Sequence, residues 1–228
     1  METEISCAPL AIGDIHGCYR SLAALESFAE FKPEDWIITL GDYVDRGPDS
    51  KSVIEWLIDR NDSGNLIALR GNHELMMFAA TRSERQLDEW RVCGGDTVLS
   101  SYGADAFDAI PGAHLAFLRL QLRSHFKTRT HFFVHANAYA EVPLDEQPDV
   151  MLYWESFGNP VSRESGLTMV CGHTPQRTGE RRDVGHAICI DTWAGGRGWL
   201  TFLDVAARFR WQANEAGDTR SFWIDDGP

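Results

Sequence analysis

The feature that most constrains this chain is a repeated pattern in which an apolar run ends in glycine and a polar residue follows at once. Residues 36–40 are apolar, and residues 41–47 then read Gly-Asp-Tyr-Val-Asp-Arg-Gly. Residues 10–12 lead in the same way into Gly-Asp-Ile-His-Gly at 13–17, and residues 66–69 lead, after one arginine, into Gly-Asn-His-Glu at 71–74. Ligands of open α/β sheets bind beyond the carboxyl ends of the strands. We therefore expect three loops that are distant in sequence to meet at one polar site.

The first third of the chain alternates between strand and helix patterns. We predict strands at 7–12, 36–40 and 66–69, a helix at about 19–31, and a second helix capped by Asp49 or Ser50. This β-α-β-α-β order predicts parallel strands joined by right-handed crossovers. Residues 74–90 are predicted to be helical, Gly94 and Gly95 to break that helix, and a further helix to follow Pro111.

The second half has a different character. Short strands are predicted at 130–134, 167–170, 187–190 and 199–205, and the turns between them favour a second, more antiparallel sheet. Residues 140–165 contain three prolines and several acids, which predicts a long surface excursion. We expect the tail from residue 214 to be loosely held unless Phe222 and Trp223 anchor it. No linker or repeat is present, so residues 1–228 are predicted to form a single domain.

Composition limits the function classes. With 21 basic and 34 acidic residues among 228, the net charge of −13 argues against a general nucleic-acid or membrane-surface binder. A small anionic substrate stays possible, because bound metal ions can reverse the local field. The acidic start does not resemble a signal peptide, and no run reaches the ~18 apolar residues of a membrane span.

The five cysteines are scattered and include no Cys-x-x-Cys, which predicts reduced thiols in a cytoplasmic protein. Cys7, Cys171 and Cys189 lie in apolar runs and are predicted to be core residues. For Cys18, beside the first motif, packing as a small residue is favoured over an oxidisable role.

Six potential metal ligands follow predicted strands. They are Asp14, His16, Asp42, Asn72, His135 and His173. Carboxylate and amide oxygens suit Mn²⁺ or Mg²⁺, and imidazoles suit Fe, Zn or Mn. Six side chains exceed the needs of one ion with an open position, and they match two ions that share a carboxylate. Two ions ~3.5–4 Å apart form a clamp for in-line displacement at phosphorus. Asp42 is the natural bridging residue.

Each of these residues, taken singly, has an ordinary interpretation. An aspartate after a strand is usually a cap or turn residue, and a lone histidine is usually a surface or core residue. Their joint recurrence after glycine-flanked strands favours ligation. The remaining histidines lack this setting and are predicted to be structural: His114, His125, His131 and His186.

The three blocks at 13–17, 41–47 and 71–74 resemble the signature blocks of PPP-type metallophosphatases in the calcineurin-like metallophosphoesterase superfamily. His135 and the Gly-His-Thr-Pro of 172–175 resemble the two later histidine blocks, and residues 190–201 resemble the closing strands. Trp90, Gly94 and Gly95 fit the short bacterial branch, which includes diadenosine tetraphosphatase and resembles bacteriophage lambda phosphatase. The resemblance covers about residues 8–205.

This resemblance implies a four-layer α/β/β/α sandwich of two mixed sheets with flanking helices. It implies that Asp14, His16 and Asp42 hold one metal ion, and that Asp42, Asn72, His135 and His173 hold the other. Mn²⁺ is the expected ion, with Fe, Zn, Ni and Mg as alternatives. A water activated by the two ions would attack phosphorus directly, without a phosphoenzyme.

The resemblance also gives three further side chains catalytic roles. Arg46 would clamp the phosphate, His73 would act as general acid, and Asp45 would orient His73. The alternatives are a surface ion pair for Arg46 and a capping or core role for His73.

Two positions depart from the family pattern. Asn137 stands where glycine is common, and we expect asparagine to tolerate a left-handed backbone there. Glu155 follows Trp154 where many relatives have a phosphate-binding arginine. Arg163 or Arg197 could replace that contact, so both are candidate substrate-binding residues.

The predicted function is that of a metal-dependent serine/threonine protein phosphatase, with dual specificity left open. The main alternative is symmetrical hydrolysis of diadenosine tetraphosphate or another dinucleoside polyphosphate. A catalytically silent metal-binding scaffold is disfavoured because all the ligand and acid positions are intact. A dehydrogenase is disfavoured because no Gly-x-Gly-x-x-Gly opens the first helix. The expected partner is a phosphoprotein or a phosphorylated small molecule, and the expected state is a monomer.

Overall fold

The computed structural model describes residues 9–224, and it contains two mixed β-sheets packed face to face. The first sheet has the order β11-β10-β9-β1-β2-β3. Its strands are β1 (Leu10–Ile12), β2 (Ile37–Thr39), β3 (Leu66–Ala68), β9 (Leu200–Asp204), β10 (Phe209–Ala213) and β11 (Thr219–Trp223). The second sheet has the order β4-β5-β6-β8-β7. Its strands are β4 (His125–Lys127), β5 (His131–Val134), β6 (Thr168–Cys171), β7 (Arg182–Asp183) and β8 (Ala187–Cys189).

Helices cover the outer faces of the two sheets. They are α1 (Tyr19–Phe28), α2 (Ser50–Asp62), α3 (Asn72–Ala79), α4 (Glu84–Trp90), α5 (Asp96–Ser101), α6 (Gly112–Leu120) and α7 (Asp149–Tyr153). A kinked segment (Arg91–Gly95), in which the backbone of Gly94 is not helical, joins α4 to α5. Three short 3₁₀ turns are present among the described residues (Phe107–Ala109, Leu144–Glu146 and Ala194–Gly196). Within residues 9–224, no helix combines the length and apolar character needed to cross a bilayer.

The predicted β-α-β-α-β unit is confirmed. Strand β1 pairs in parallel with β2, and β2 pairs in parallel with β3. Helix α2 begins as expected after Asp49, whose side chain accepts a hydrogen bond from the amide of Ser52 at 3.0 Å. This cap satisfies one of the free N–H groups of the first turn and fixes where the chain leaves the loop at 41–47.

The prediction of a more antiparallel second sheet is wrong in two respects. Strand β9, predicted in that sheet, pairs antiparallel with β1 and therefore extends the first sheet. The strands β5, β6 and β8 pair in parallel. Parallel pairing needs a crossover of a dozen or more residues, and the long intervals after β5 and after β6 supply it without a long helix.

Three smaller predictions are corrected. The predicted helix at 74–90 is two helices, α3 and α4, because the chain turns between Ala80 and Ser83. The tail is held by β11, which pairs along its length with β10. The sequence reasoning also missed the strands β4, β7, β10 and β11. The prediction for Cys7 lies outside the described residues.

Three apolar layers hold these elements together. One lies between the first sheet and the helices, and it includes Leu22, Val53 and Leu118. The second lies between the two sheets, and the third lies under the second sheet against α7. Complete burial of an aliphatic side chain contributes roughly 1.5–3 kcal/mol. The resulting sandwich brings the ends of β1, β2, β3, β5 and β6 to one edge.

Candidate metal centre and active site

The loops at this edge are held in place by a buried carboxylate. Glu74, which is 0% exposed, accepts hydrogen bonds from the amides of Asp42 at 3.1 Å, Tyr43 at 2.8 Å and Gly71 at 2.9 Å. It thereby ties the loop after β2 to the start of α3. The sequence reasoning assigned Glu74 no role, although the residue belongs to the third block.

The backbone of the site is locally strained. His16, Asp42, Asp45, Arg46 and His173 all have φ between 49° and 71°, which is the left-handed region that non-glycine residues rarely adopt. Such conformations cost of order 1–3 kcal/mol each, and they cluster at functional sites. The surrounding packing must therefore stabilise them.

Two glycines are required because carboxylates lie directly against them. A Cβ atom at Gly71 would be 2.1 Å from Oδ1 of Asp42, and one at Gly172 would be 1.9 Å from Oδ1 of Asp14. Any side chain at either position would displace a predicted metal ligand. This explains the glycine that precedes the polar residue in these two blocks.

Three predicted ligands share one arrangement, and we call them the carbonyl-tethered histidines: His16, His135 and His173. In each, one ring nitrogen lies against a main-chain oxygen. These pairs are His16 Nδ1 with Val44 O at 3.0 Å, His135 Nδ1 with Leu40 O at 2.8 Å, and His173 Nε2 with Trp154 O at 3.2 Å. Because a carbonyl only accepts, the tethered nitrogen carries the proton. The other nitrogen then presents a lone pair toward the centre of the site.

These lone pairs face other acceptors. Oδ1 of Asn72 lies 3.0 Å from Nε2 of His135 and 3.0 Å from Nδ1 of His173, and Oδ1 of Asp42 lies 3.4 Å from Nε2 of His135. Burial lowers the pKa of His135 to about 4 and that of His16 to about 3, so both rings are neutral near pH 7. At His135 and His173, imidazoles, an amide oxygen and a carboxylate converge without a donor between them, which matches the ligand set of a divalent cation. Nε2 of His16 lies 3.5 Å from Oδ2 of Asp42 and also faces Arg46.

The site also buries an excess of negative charge. Asp14 and Asp191 are 2% and 3% exposed, and both carboxylates lie close to that of Asp42. Burial, followed by the charges of Asp191 and Asp42, raises the pKa of Asp14 well above its usual range. Burial likewise raises the pKa of Asp191 to about 6. A bound cation would relieve this repulsion.

His73 has a different environment from the carbonyl-tethered histidines. Its Nδ1 lies 2.6 Å from Oδ2 of Asp45, which is completely buried. Burial by itself lowers the pKa of His73, but the charges of Asp42 and Asp45 outweigh it and raise that pKa. His73 is thus held by a carboxylate that favours its protonated form, whereas the other three rings are held by neutral carbonyls.

Arg46 lies at the exposed rim of the site. Its Nη1 is 2.9 Å from Nε2 of His16, and its Nη2 is 3.0 Å from Nε2 of His73. The planar guanidinium therefore spans the two sides of the site, where it could also meet two oxygens of one phosphate.

Distance alone divides the cluster into two groups that share Asp42. Ligand atoms of His16, Asp42 and His73 lie within 4.8 Å of one another, as do those of Asp42, His135 and His173. A shared central carboxylate is the arrangement expected for two ions. The hydrogen-bond partners nevertheless separate His73 from the ligands, because its distal nitrogen pairs with a carboxylate and not with a carbonyl.

Comparison with known proteins identifies the family. The model described as calcineurin-like phosphoesterase matches residues 9–206. The chain belongs to this family. Calcineurin-like phosphoesterases hydrolyse phosphoesters with divalent metal ions, and the His/Asp cluster described above fits such a site.

Relatives within the family have more than one named activity. The chain is 31% identical to serine/threonine-protein phosphatase 1 of Salmonella typhimurium, over 85% of this chain and 90% of that protein. It is 32% identical to the symmetrical bis(5'-nucleosyl)-tetraphosphatase of Pseudomonas syringae, over 57% of this chain and 41% of that protein. A 45% identical match to the corresponding enzyme of Edwardsiella ictaluri spans 31% of this chain and 25% of that protein.

Solved structures of the family share the fold. A protein solved as a candidate diadenosine tetraphosphatase superposes with a TM-score of 0.70 at 19% identity, covering 100% of this chain and 98% of its own. A cold-active protein-tyrosine phosphatase from a Shewanella species has a TM-score of 0.58 at 16% identity. The superposition covers 96% of this chain and 83% of that phosphatase. The predicted architecture of two mixed sheets with flanking helices is therefore confirmed.

The two candidate arginines are placed differently relative to the phosphoesterase site. Arg197 and Arg46 line the same cleft of about 400 Å³, which also includes Pro48 and Glu215. Arg163 instead donates to the carbonyl oxygens of Tyr139 and Val142, at 2.7 Å each. Among the described residues, its terminal nitrogens are thus committed to the main chain of the surface excursion.

The two departures from the family pattern have structural explanations. Asn137 does not adopt a left-handed backbone, contrary to our expectation. Its side chain instead donates to Ser156 O and accepts from the amide of Ala138. The segment that lacks the arginine still contributes to the site, because the carbonyl of Trp154 is the tether of His173.

Proposed function

We propose that this protein is a phosphoprotein phosphatase that hydrolyses phosphoserine and phosphothreonine with two divalent ions, Mn²⁺ first among them. The observation that carries this proposal is the similarity to serine/threonine-protein phosphatase 1 along most of both chains. The sequence matches to the tetraphosphatases of Edwardsiella ictaluri and Pseudomonas syringae span only 25% and 41% of those proteins.

Six residues would hold the ions in this proposal. Asp14, His16 and Asp42 would bind one ion, and Asp42 with Asn72, His135 and His173 would bind the other. Bound divalent ions supply Lewis acidity, which activates a water molecule for in-line attack on phosphorus and neutralises charge on the phosphate oxygens. The main-chain tethers fix the tautomers and aim the three imidazoles inward. Burial lowers their pKa values and keeps the rings neutral, so little reorganisation is needed on binding.

The chain's own groups would then manage the phosphate and the departing oxygen. Arg46 would grip two phosphate oxygens with the guanidinium that spans the site. His73 would give a proton from Nε2 to the departing oxygen, while Asp45 holds Nδ1 at 2.6 Å. General acid catalysis of this kind contributes typically 10²–10⁴-fold.

Arg197 would supply the second cationic contact. It is exposed beside Arg46 in the same cleft, and its backbone is left-handed at φ 72°. Gly195, two residues earlier, packs against the ring of His16, which fixes this loop next to the site. The committed hydrogen bonds of Arg163 disfavour that residue for the same role.

Symmetrical hydrolysis of a dinucleoside tetraphosphate is the second candidate. It is favoured by local identities of up to 46% to symmetrical tetraphosphatases. Two arginines in one cleft also suit a substrate with several phosphates. The two candidates share the metal site and differ in what lies beyond the reacting phosphate.

A substrate panel tests the proposal. Metal-stripped protein with Mn²⁺ added back is assayed on p-nitrophenyl phosphate, on phosphoserine, phosphothreonine and phosphotyrosine peptides, and on diadenosine tetraphosphate. We expect metal-dependent turnover of the phosphoserine and phosphothreonine peptides, which collapses in His73→Asn and persists in the matched control His131→Asn. Preference for the dinucleotide would favour the second candidate, and no metal-dependent turnover would refute both.

A pair of arginine variants tests the cleft. Arg197→Ala is expected to raise KM about tenfold, as loss of a hydrogen bond to a charged group does, with a smaller effect on kcat. Arg163→Ala is the matched control, and it is expected to leave KM unchanged. The reverse result would transfer the second phosphate contact to Arg163.

A further inference from the structure

Trp90 is a buried aromatic residue whose polar group points into the active site. It is 1% exposed, and it is the last residue of α4. Its indole Nε1 donates a hydrogen bond of 2.9 Å to Oδ1 of Asp45. The sequence analysis gave Trp90 no role toward Asp45, and the proposed mechanism leaves this bond unexplained.

The carboxylate of Asp45 divides its two oxygens between two partners. Oδ2 faces Nδ1 of His73 at 2.6 Å, and Oδ1 accepts from Trp90. Asp45 is 0% exposed, so water does not replace a lost partner. Without the indole N–H, one oxygen would be buried and unpaired, which typically costs ≈ 1–3 kcal/mol. The carboxylate could lower that cost only by rotating, and rotation would move His73.

The segment that follows Trp90, Arg91–Gly95, holds the indole in place. This segment is kinked, and the kink lies at Gly94, whose backbone is not helical. A Cβ at Gly95 would lie 2.4 Å from Cδ2 of Trp90, so only glycine lets the indole occupy this position. Gly94, with φ 111°, accepts a hydrogen bond from the amide of Arg46. One segment thus supports both Asp45 and Arg46.

We propose that Trp90 is a positioning residue for proton donation by His73. Its N–H fixes the Asp45 carboxylate, which in turn fixes the ring and the tautomer of His73 toward the departing oxygen. This inference rests on the proposed function of His73 as the acid. It predicts that Trp90 matters most for substrates whose leaving group needs a proton.

A leaving-group series with Trp90→Phe tests this role. Phenyl phosphate and a phosphoserine peptide have poor leaving groups that need the acid, whereas p-nitrophenyl phosphate has an activated one. We expect kcat of the Mn²⁺-loaded variant to fall about 10- to 100-fold on the first two substrates, because small misplacements of catalytic groups have effects of this size. On p-nitrophenyl phosphate, kcat should change less than about threefold.

Phe107→Leu is the matched control. The ring of Phe107 packs edge-on against Trp90 with centroids 6.1 Å apart, and it has no polar group that could bond to Asp45. This variant is expected to loosen the packing around the indole without a leaving-group-dependent loss. Equal losses on all substrates in Trp90→Phe, or no loss on any, would overturn the proposal.

A second measurement decides the matter if Trp90→Phe does not fold. In metal-free wild-type protein, the ¹H–¹⁵N signal of the Trp90 indole should be protected from exchange, and it should shift in Asp45→Asn. An indole signal that exchanges freely and does not respond to Asp45→Asn would overturn the inference. If wild-type protein hydrolyses none of the substrates, the proposed function fails, and the NMR result still decides whether Trp90 holds Asp45.

Discussion

The two sides of this site use the same side chain in opposite ways. On one side, main-chain carbonyls hold His16, His135 and His173. The free nitrogens of His135 and His173 face oxygen acceptors, and that of His16 lies against Arg46 and 3.5 Å from Oδ2 of Asp42. On the other side, a carboxylate holds His73, and its free nitrogen faces the guanidinium of Arg46. The first arrangement favours a neutral ligand and the second favours a proton donor.

From this comparison we propose that the partner of the other ring nitrogen sets the role of each histidine. By distance, His73 groups with His16 and Asp42 as readily as His135 groups with His173 and Asp42. The carbonyl bonds of His16, His135 and His173 do not outweigh burial, so the pKa of each ring is lowered. At His73 the charges of Asp42 and Asp45 outweigh burial and raise the pKa. Variants of these residues test whether a carbonyl or a carboxylate partner separates metal binding from proton transfer.

The largest effect is expected from Asp42→Asn. Asp42 is the residue common to both groups of candidate ligands, so its charge would serve both ions. The loss of several kcal/mol of transition-state stabilisation corresponds to a rate decrease on the order of 10³-fold or more. The measurement is kcat on p-nitrophenyl phosphate together with Mn²⁺ content. If the variant retains both metal and activity, Asp42 does not serve as the ligand shared by the two ions.

A more selective effect is expected from His73→Asn. The variant should lose on the order of 10²–10⁴-fold in kcat on phosphoserine peptide, because the departing alkoxide needs a proton. It should lose much less on p-nitrophenyl phosphate, whose leaving group is activated. Steady-state kinetics on both substrates check this. Equal losses of kcat on the two substrates would indicate that His73 is a metal ligand and not the general acid.

A stability effect is expected from the buried negative charge when metal is absent. Burial raises the pKa of Asp191 from 3.8 to about 6, so the folded chain binds a proton there that the unfolded chain has lost. Stability therefore falls as pH rises from about 4 to 6, and it levels off above about pH 7. At roughly 1.4 kcal/mol per pKa unit, the cost is on the order of 2–3 kcal/mol.

Urea unfolding in EDTA between about pH 4 and 8 measures this cost. Asp191→Asn should gain stability relative to wild type as pH rises, because the amide does not ionise. Asp88→Asn, at an exposed position, is the control and should show no such trend. Parallel curves for wild type and Asp191→Asn would contradict the assigned burial cost.

The smallest effect is expected for the thiol of Cys18, two residues after His16. Cys18 is 2% exposed, and burial together with Glu215 raises its pKa to about 12. It is therefore almost entirely protonated at pH 8 and should react slowly with iodoacetamide. Mass spectrometry should find Cys93 alkylated first, with metal content unchanged. Loss of metal that follows Cys18 alkylation while Cys93 is unmodified would contradict this.

The blocks at 13–17, 41–47 and 71–74 could be interpreted from sequence because their relative positions do not depend on contacts between distant parts of the chain. Each block follows a strand of a local β-α-β unit, so adjacency in the sheet follows from the chain order. The second half lacked that constraint. Strands β5, β6 and β8 are joined by irregular connections, so neither their parallel pairing nor the transfer of β9 to the first sheet could be predicted from periodicity.

The residues missed at the site act across long sequence separations. Trp90 reaches Asp45 over 45 positions, and the carbonyl of Trp154 reaches His173 over 19. Glu74 bonds to amides 31 and 32 positions away. Sequence spacing identifies groups that can bind a metal, but these supporting bonds depend on tertiary packing. The assignment of Arg197 in preference to Arg163 required the structure for the same reason.

The most direct test of the central claim is the metal content of two histidine variants. Mn²⁺ bound per chain is measured by mass spectrometry after dialysis, for wild type, His73→Asn and His135→Asn. We predict that His73→Asn retains the wild-type content of two ions, and that His135→Asn loses at least one of them. If His73→Asn loses as much metal as His135→Asn, the partner of the distal nitrogen does not separate acid from ligand, and the account is wrong.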